Sequence, residues 1–341
     1  MCYNFIIMTN QGKINFLAIG DIVTDAFIKL KEAHIHKGLD SIDSNELCLR
    51  FGDKVPYESV EILSAVGNSP NASVSASRLG LSSALLTNIG NDQNGIDCLN
   101  NLKKENIDTS FIQTENNKIT NYHYVLWYGV ERTILIKHED FTYSLPELPE
   151  VDYIYLSSLS ENSLEYHKQI AEYLKNHPNT KLAFQPGTFQ IKFGTEKLRD
   201  IYTHTEVFFC NLEEAQKILN IENKDIKILI KGIHDLGPKI VAISDGPNGA
   251  YASDGNNIYF IPMYPDIAPP VERTGAGDAF SSTFTVALTL GKTIEEALSW
   301  GPINSMNVVQ HVGAQKGLLN LSELQDYLSK APENYKVSKI N

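Results

Sequence analysis

Short apolar runs alternate with longer amphipathic stretches through most of this chain. Lys13 to Ile19 (KINFLAI) predicts a buried strand ended by Gly20, and Ala84 to Ile89 predicts another. Between them, Ala72 to Leu79 predicts a small-residue helix stopped by Gly80. Gln93 to Glu105 predicts a helix closed by Asn106. After Pro149 the alternation is regular. Strands are expected at Tyr153 to Leu156, Lys181 to Phe184, Glu206 to Cys210 and Lys239 to Ser244. Helices are expected at Ser163 to Lys175, Leu212 to Leu219 and Lys224 to Leu236, and three more at Ala279 to Leu290, Ile294 to Val309 and Leu321 to Leu328. This order predicts an α/β fold with a mostly parallel sheet and helices on both faces.

Two segments break the pattern. Asn121 to His138 (NYHYVLWYGVERTILIKH) alternates, is rich in aromatic and β-branched residues, and is interrupted by Gly129. It predicts a β-hairpin, either a half-buried sheet face or a lid whose aromatic residues meet a sugar or base. Residues 31–60 are polar and mixed, with His34, His36, Asp40, Asp43 and Asp53 in no metal-like spacing, and predict a solvated loop or lid.

Composition narrows the class. With 341 residues, 42% of them hydrophobic and 21% charged, the chain can bury a large core. The net charge of −12 argues against a nucleic-acid surface, though a local positive site can still hold an anionic nucleotide. Cys2, Cys48, Cys98 and Cys210 are far apart, which predicts free thiols and a reducing, cytoplasmic compartment. The short apolar run Phe5 to Met8 does not read as a signal peptide, and no apolar segment reads as long enough to span a bilayer.

Candidate chemistry centres on Thr274-Gly275-Ala276-Gly277-Asp278, between a proline-rich loop and an apolar helix. Glycines there allow positive φ and close approach of backbone to a ligand. Free N–H groups at the helix start favour an anion. Asp278 is then either a carboxylate answering the helix dipole or a base beside a phosphate-sized hole. Asp21 and Asp25 follow a strand end and are turn residues or ligand contacts. Asn71 is an N-cap or a polyol contact. Asn211 and Glu214 form a box-like cap, or Glu214 holds a hydrated magnesium ion. Ser244-Asp245-Gly246-Pro247-Asn248-Gly249 is a two-glycine turn able to wrap phosphate. There is no Walker-type loop, dinucleotide fingerprint, H-E-x-x-H or G-x-S-x-G.

Taken together, these motifs resemble the ribokinase-type (PfkB) family of sugar and nucleoside kinases, from about Asn15 to Leu318. The resemblance implies a ribokinase-like three-layer sandwich with a small β-sheet lid. It implies one kinase domain over 13–330 with lid segments near 31–60 and 118–140, an N-terminal extension 1–12 and a C-terminal tail 331–341. It makes Asp278 the catalytic base and Gly275, Ala276 and Gly277 the anion hole. Asp25, Gly67, Asn68 and Asn71 would bind substrate. Asn211, Ser244, Gly246, Gly249, Thr274 and Asn304 would bind nucleotide, and Glu214 would hold Mg2+ through water. ATP and Mg2+ are implied, with K+ a candidate. The partner is a small sugar or nucleoside, with no nucleic acid and no membrane, and a homodimer through the lid is a further expectation. Two departures stand out: Val66 where relatives have glycine, and Glu272-Arg273 ahead of the late motif. Arg273 could set a fixed positive charge beside the phosphates. ATP-dependent sugar phosphorylation is expected, with a nucleoside kinase or a non-catalytic small-molecule sensor as alternatives.

Overall fold

The computed structural model describes residues 12–37, 45–129 and 131–340. Cys2, the run Phe5 to Met8, Asp40 and Asp43 lie outside the described residues. In chain order the first strands are β1 (Ile14–Ile19), β2 (Val23–Leu30), β3 (His34–Lys37), β4 (Asn45–Cys48), β5 (Tyr57–Val66), β6 (Ser83–Gly90), β7 (Ile112–Glu115), β8 (Asn121–Tyr128) and β9 (Glu131–Leu135). Then come β10 (Val151–Leu156), β11 (Lys181–Phe184), β12 (Thr205–Asn211), β13 (Ile240–Ser244), β14 (Ala250–Ser253), β15 (Ile258–Ile261) and β16 (Ser338–Ile340). The helices are α1 (Asn68–Arg78), α2 (Gln93–Lys104), α3 (Leu164–Asn176), α4 (Thr188–Phe193), α5 (Arg199–His204), α6 (Leu212–Leu219), α7 (Ile226–Asp235), α8 (Ala276–Thr289), α9 (Ile294–Val308) and α10 (Leu321–Ser329).

The main sheet runs β16-β15-β14-β13-β12-β11-β10-β1-β6-β7, parallel from β7 to β13 and antiparallel beyond. Its central strands are apolar on both faces because both are covered. Phe16 and Ala18 of β1 pack into the core under α1, α8 and α9, whereas Leu17 and Ile19 pack under α3, α5 and α7. This is the three-layer sandwich expected from the sequence. Strand order reverses at β1, with β6 on one side and β10 on the other. In open α/β sheets a ligand crevice forms beyond the strand C-termini at such a point.

The second sheet, β5-β2-β8-β9, stands over that crevice. The hairpin at 121–138 is present, turning at Gly129 with φ +65°. Among the described residues of 31–60, expected as a solvated loop or lid, β3 and β4 form a ribbon and the start of β5 is an edge strand of the lid sheet, so the segment enters the lid as strand. Strand β2 was not legible either, because Asp25 interrupts its apolar run and aspartate is a poor strand former. Pairing to β5 and β8 on both sides overrides that preference.

Candidate active site

Gly275 caps the N-terminus of α8 in the left-handed region, with φ +80°. A Cβ at Gly275 would lie 2.3 Å from Ala314 Cβ and 2.6 Å from Ala314 Cα, so both conformation and space require glycine. Glu272 anchors the approach to this turn. Its buried carboxylate accepts from Thr274 N–H (2.6 Å) and Gly313 N–H (2.8 Å), tying the turn to the loop after α9. Asp278 therefore sits in the first turn of a helix whose start is fixed from two directions.

Three amides converge on Asp278. Asn68 Nδ2 donates to Oδ1 at 2.7 Å, Gln185 Nε2 to Oδ1 at 3.2 Å, and Asn71 Nδ2 to Oδ2 at 2.8 Å. The orientation of Gln185 is itself fixed, because its Oε1 accepts from the hydroxyls of Tyr155 and Ser281. Burial drives the Tyr155 hydroxyl well above its usual range, with the Asp278 charge adding to the shift, so it stays a neutral donor. Asn71 serves Asp278 from within α1. The N-cap position belongs to Gly67, which corrects the capping alternative for Asn71.

Two cavities meet at this turn. The first, about 420 Å³, is lined by Asp21, Asp25, Asn68, Asn71, Gln185 and Asp278 among others. The second, about 330 Å³, is lined largely by apolar groups such as Pro247, Met263, Pro302, Met306 and Val309. They share Ser244, Arg273, Gly277 and Phe280. Arg273 thus stands at the junction. At Gly277, which both cavities share, the nearest atom a Cβ would meet is Gln185 Nε2 at 3.8 Å, an ordinary contact.

At the far side of the first cavity, Asp25 and His123 lie 3.4 Å apart (Oδ1 to Nδ1), and Asp21 and His138 lie 3.5 Å apart (Oδ2 to Nδ1). Tyr143 O–H also donates to Asp21 Oδ1 at 2.7 Å. Gly67 has φ +121°, and a Cβ there would come within 2.8 Å of the Asp21 carbonyl oxygen. Val66 is buried beside it and lines the cavity.

Ser244, Gly246 and Gly249 form the rim of the second cavity, with both glycines at positive φ. Thr274 lines the first cavity, and its Oγ1 is buried without a partner. Asn304 departs from expectation. It is fully buried, bonded to Thr283 through Nδ2 (2.8 Å) and to Leu319 N–H through Oδ1 (2.9 Å), and lines neither cavity. Its amide clamps α8 to the chain after α9, and Ser305, one residue on, faces the apolar cavity instead.

Asn211 and Glu214 realise the reciprocal cap. Asn211 Oδ1 accepts from Glu214 N–H and Glu214 Oε2 accepts from Asn211 N–H, both at 2.8 Å. Both residues also line the first cavity. Burial pushes the Glu214 carboxyl above its usual range, and the Asp278 charge pushes the same way, opposed by the Asn211 N–H and Lys217.

The sequence reading missed Gln185, His123, Arg132, His138 and Glu272 as site or supporting residues. Gln185 had a usable signal, since it directly follows strand β11 as Asn211 and Ser244 end theirs. The hairpin misled in another way. Tyr122, Tyr124, Trp127 and Tyr128 do not line the cavity, whereas the less conspicuous His123, Arg132, Ile134 and Ile136 do. Strand alternation turns Tyr122 and Tyr124 to the opposite face from His123.

The family described as "pfkB family carbohydrate kinase" matches residues 41–320. The ribokinase of Bacillus subtilis is 26% identical over 269 residues, covering 77% of this chain and 87% of its own length. The nucleoside kinase of Methanocaldococcus jannaschii is 24% identical over 314 residues, covering 86% and 95%. A solved structure of Arabidopsis thaliana ribokinase with ribose and ATP superposes with a TM-score of 0.76 at 17% identity, covering 93% of this chain and 99% of that one, a likeness of fold.

Proposed function

The chain belongs to the pfkB family of carbohydrate kinases, and we propose that it transfers the terminal phosphoryl group of ATP to a hydroxyl of a sugar or sugar-like acceptor. One observation carries this reading: a carboxylate held by three amides lies where a polar cavity and an apolar cavity meet. In this reading the apolar cavity takes the nucleotide base, and the turn at 246–249 takes its phosphates. The polar cavity takes the acceptor, with Asp25, Asn68 and Asn71 as hydroxyl contacts beside Gly67. Asp278 removes the proton of the attacking hydroxyl. The N–H groups of 275–278 and the Arg273 charge stabilise the phosphoryl group in transit. The lid sheet, rather than a loop, excludes water.

Mg2+ fits the donor set. Glu214, a half-buried carboxylate, lines the cavity along with Asp21, Asp25 and Asp278, and no group of three or more His, Cys, Asp or Glu able to hold a metal occurs among the described residues. A hydrated ion carried mainly on phosphate oxygens suits such a site, where it would neutralise phosphate charge. Each Glu272 oxygen accepts one backbone N–H, and the phosphoryl-transfer reading requires no K+.

The outer face of the lid carries Ile62, Tyr124 and Leu135, each about half exposed and aligned across the strands through Ala26. This row supports pairing of two copies through the lid. The free thiols of Cys48, Cys98 and Cys210 support a reducing, cytoplasmic setting. The test is ADP release with MgATP and an acceptor series of neutral sugars, acidic sugars and nucleosides. Acceptor-dependent release is expected. Binding of acceptors without any ADP release would favour the sensor alternative.

A further inference from the structure

The acceptor cavity has two chemically different ends, and strand pairing across the lid fixes them. Asp25 on β2 faces His123 on β8; four positions further along, Lys29 faces Trp127, which faces Arg132 on β9. Four strand residues span about 13 Å, less whatever the Arg132 side chain covers in reaching back. Between the two ends lie the apolar side chains of Phe27 and Ile134. Six of the nine buried side-chain polar atoms without a hydrogen-bond partner, among the described residues, belong to residues lining this one cavity. Three of these atoms, Asp21 Oδ2, Asp25 Oδ1 and His138 Nδ1, lie in the Asp–His pairs at 3.4 and 3.5 Å, which leaves His123 Nε2, Arg132 Nε and Thr274 Oγ1 as the cavity atoms with neither a hydrogen bond nor an ion pair.

Arg132 is the informative member. Its Nε is buried and unpartnered, and among the described residues the guanidinium has no hydrogen bond and no ion pair. A guanidinium cannot shed its proton, so it cannot escape the cost of a missing partner by neutralising. Its planar edge presents parallel N–H groups that match two oxygens of one carboxylate or phosphate. A neutral hydroxyl would satisfy one N–H and leave the charge unanswered.

We propose that the acceptor carries an anionic group, a carboxylate or a phosphate, that pairs with Arg132, while its hydroxyls meet the Asp25 and His123 end. This deepens the kinase reading and rests on it. The test measures ADP release with MgATP against neutral sugars, nucleosides, sugar acids and sugar phosphates. An anionic acceptor is expected to give the highest kcat/KM, and comparison of the acid and phosphate arms identifies the anion. In Arg132→Gln, KM for that acceptor should rise ~10- to 100-fold while KM for ATP is unchanged. A structural role for Arg132 would move both. If a neutral sugar or nucleoside is the best acceptor, the proposal is overturned and the kinase reading stands. If no acceptor stimulates ADP release, the kinase reading falls and this inference falls with it.

Discussion

Asp278→Asn tests the centre of the site more sharply than its near-identical shape suggests. The carboxylate accepts three N–H groups, and an asparagine amide brings an N–H2 to one of those positions. If the N–H2 replaces Oδ1, it opposes both Asn68 and Gln185, and Gln185 cannot turn without losing Tyr155 and Ser281. If it replaces Oδ2, it opposes Asn71, whose own Oδ1 accepts from Gln315 Nε2 at 3.0 Å. The second arrangement costs least, one or two hydrogen bonds, or ~1–3 kcal/mol of stability. A melting temperature lower by a few degrees follows. Loss of the base should lower kcat by ~100- to 10,000-fold. ATP affinity should persist, because Asp278 does not line the apolar cavity. Steady-state ADP release, titration calorimetry with ATP and thermal melting check the three parts separately. A kcat within about tenfold of the parent would refute the base assignment. Loss of ATP binding alongside kcat would refute the division between the cavities.

Three further outcomes follow from the geometry. Gly275→Ala should destabilise the protein by ~2–4 kcal/mol, from a left-handed backbone plus overlap with Ala314, and should impair turnover; an unchanged urea midpoint would contradict the packing argument. Burial lowers the pKa of His167 to about 4, below its ordinary 6.5. The unfolded chain therefore binds the extra proton first, so the contribution is intact above pH 6.5 and is lost as pH falls toward 4. That loss is on the order of 3 kcal/mol. Urea unfolding across this window should show the slope, and His167→Gln should flatten it. The Glu214 pKa is raised, so its contribution to stability is present below the ordinary glutamate value and lost as pH rises through the folded one. Acidification through that raised value should therefore weaken the apparent affinity for Mg2+ in the ADP-release assay. Glu214→Gln should weaken it at every pH and remove the acid limb, and a limb retained in the variant would exclude Glu214 as its source.

The centre of the main sheet was legible because its strands are short apolar runs between amphipathic helices, and covering on both faces demands that pattern. The turn was legible at Gly275, where positive φ and close packing against Ala314 leave glycine as the fitting residue. Lid strands β2 and β5 were not. Asp25 and the charged residues of β5 are poor local signals, and only pairing with neighbours makes those segments strands. Asn304 misled for the complementary reason: an amide near a glycine turn looks available until its partners are known.

Local pattern by itself placed the central strands of the main sheet, the longer helices and the glycine turn, and it singled out Asp278 as the acid at a helix start. Which side chains hold that acid was decided only in three dimensions. Asn68 and Asn71 lie 210 and 207 positions away from it, and Gln185 lies 93 away. Gln185 comes from the C-terminal end of parallel strand β11, Asn68 and Asn71 from the start of α1 after lid strand β5, and Asp278 from the start of α8, so only the assembled sheets and helices bring them together. The same topology places Arg132, with its buried and unpartnered Nε, in the wall of a cavity. Sequence spacing carries no record of either convergence, since both arise from sheet order and not from any local period.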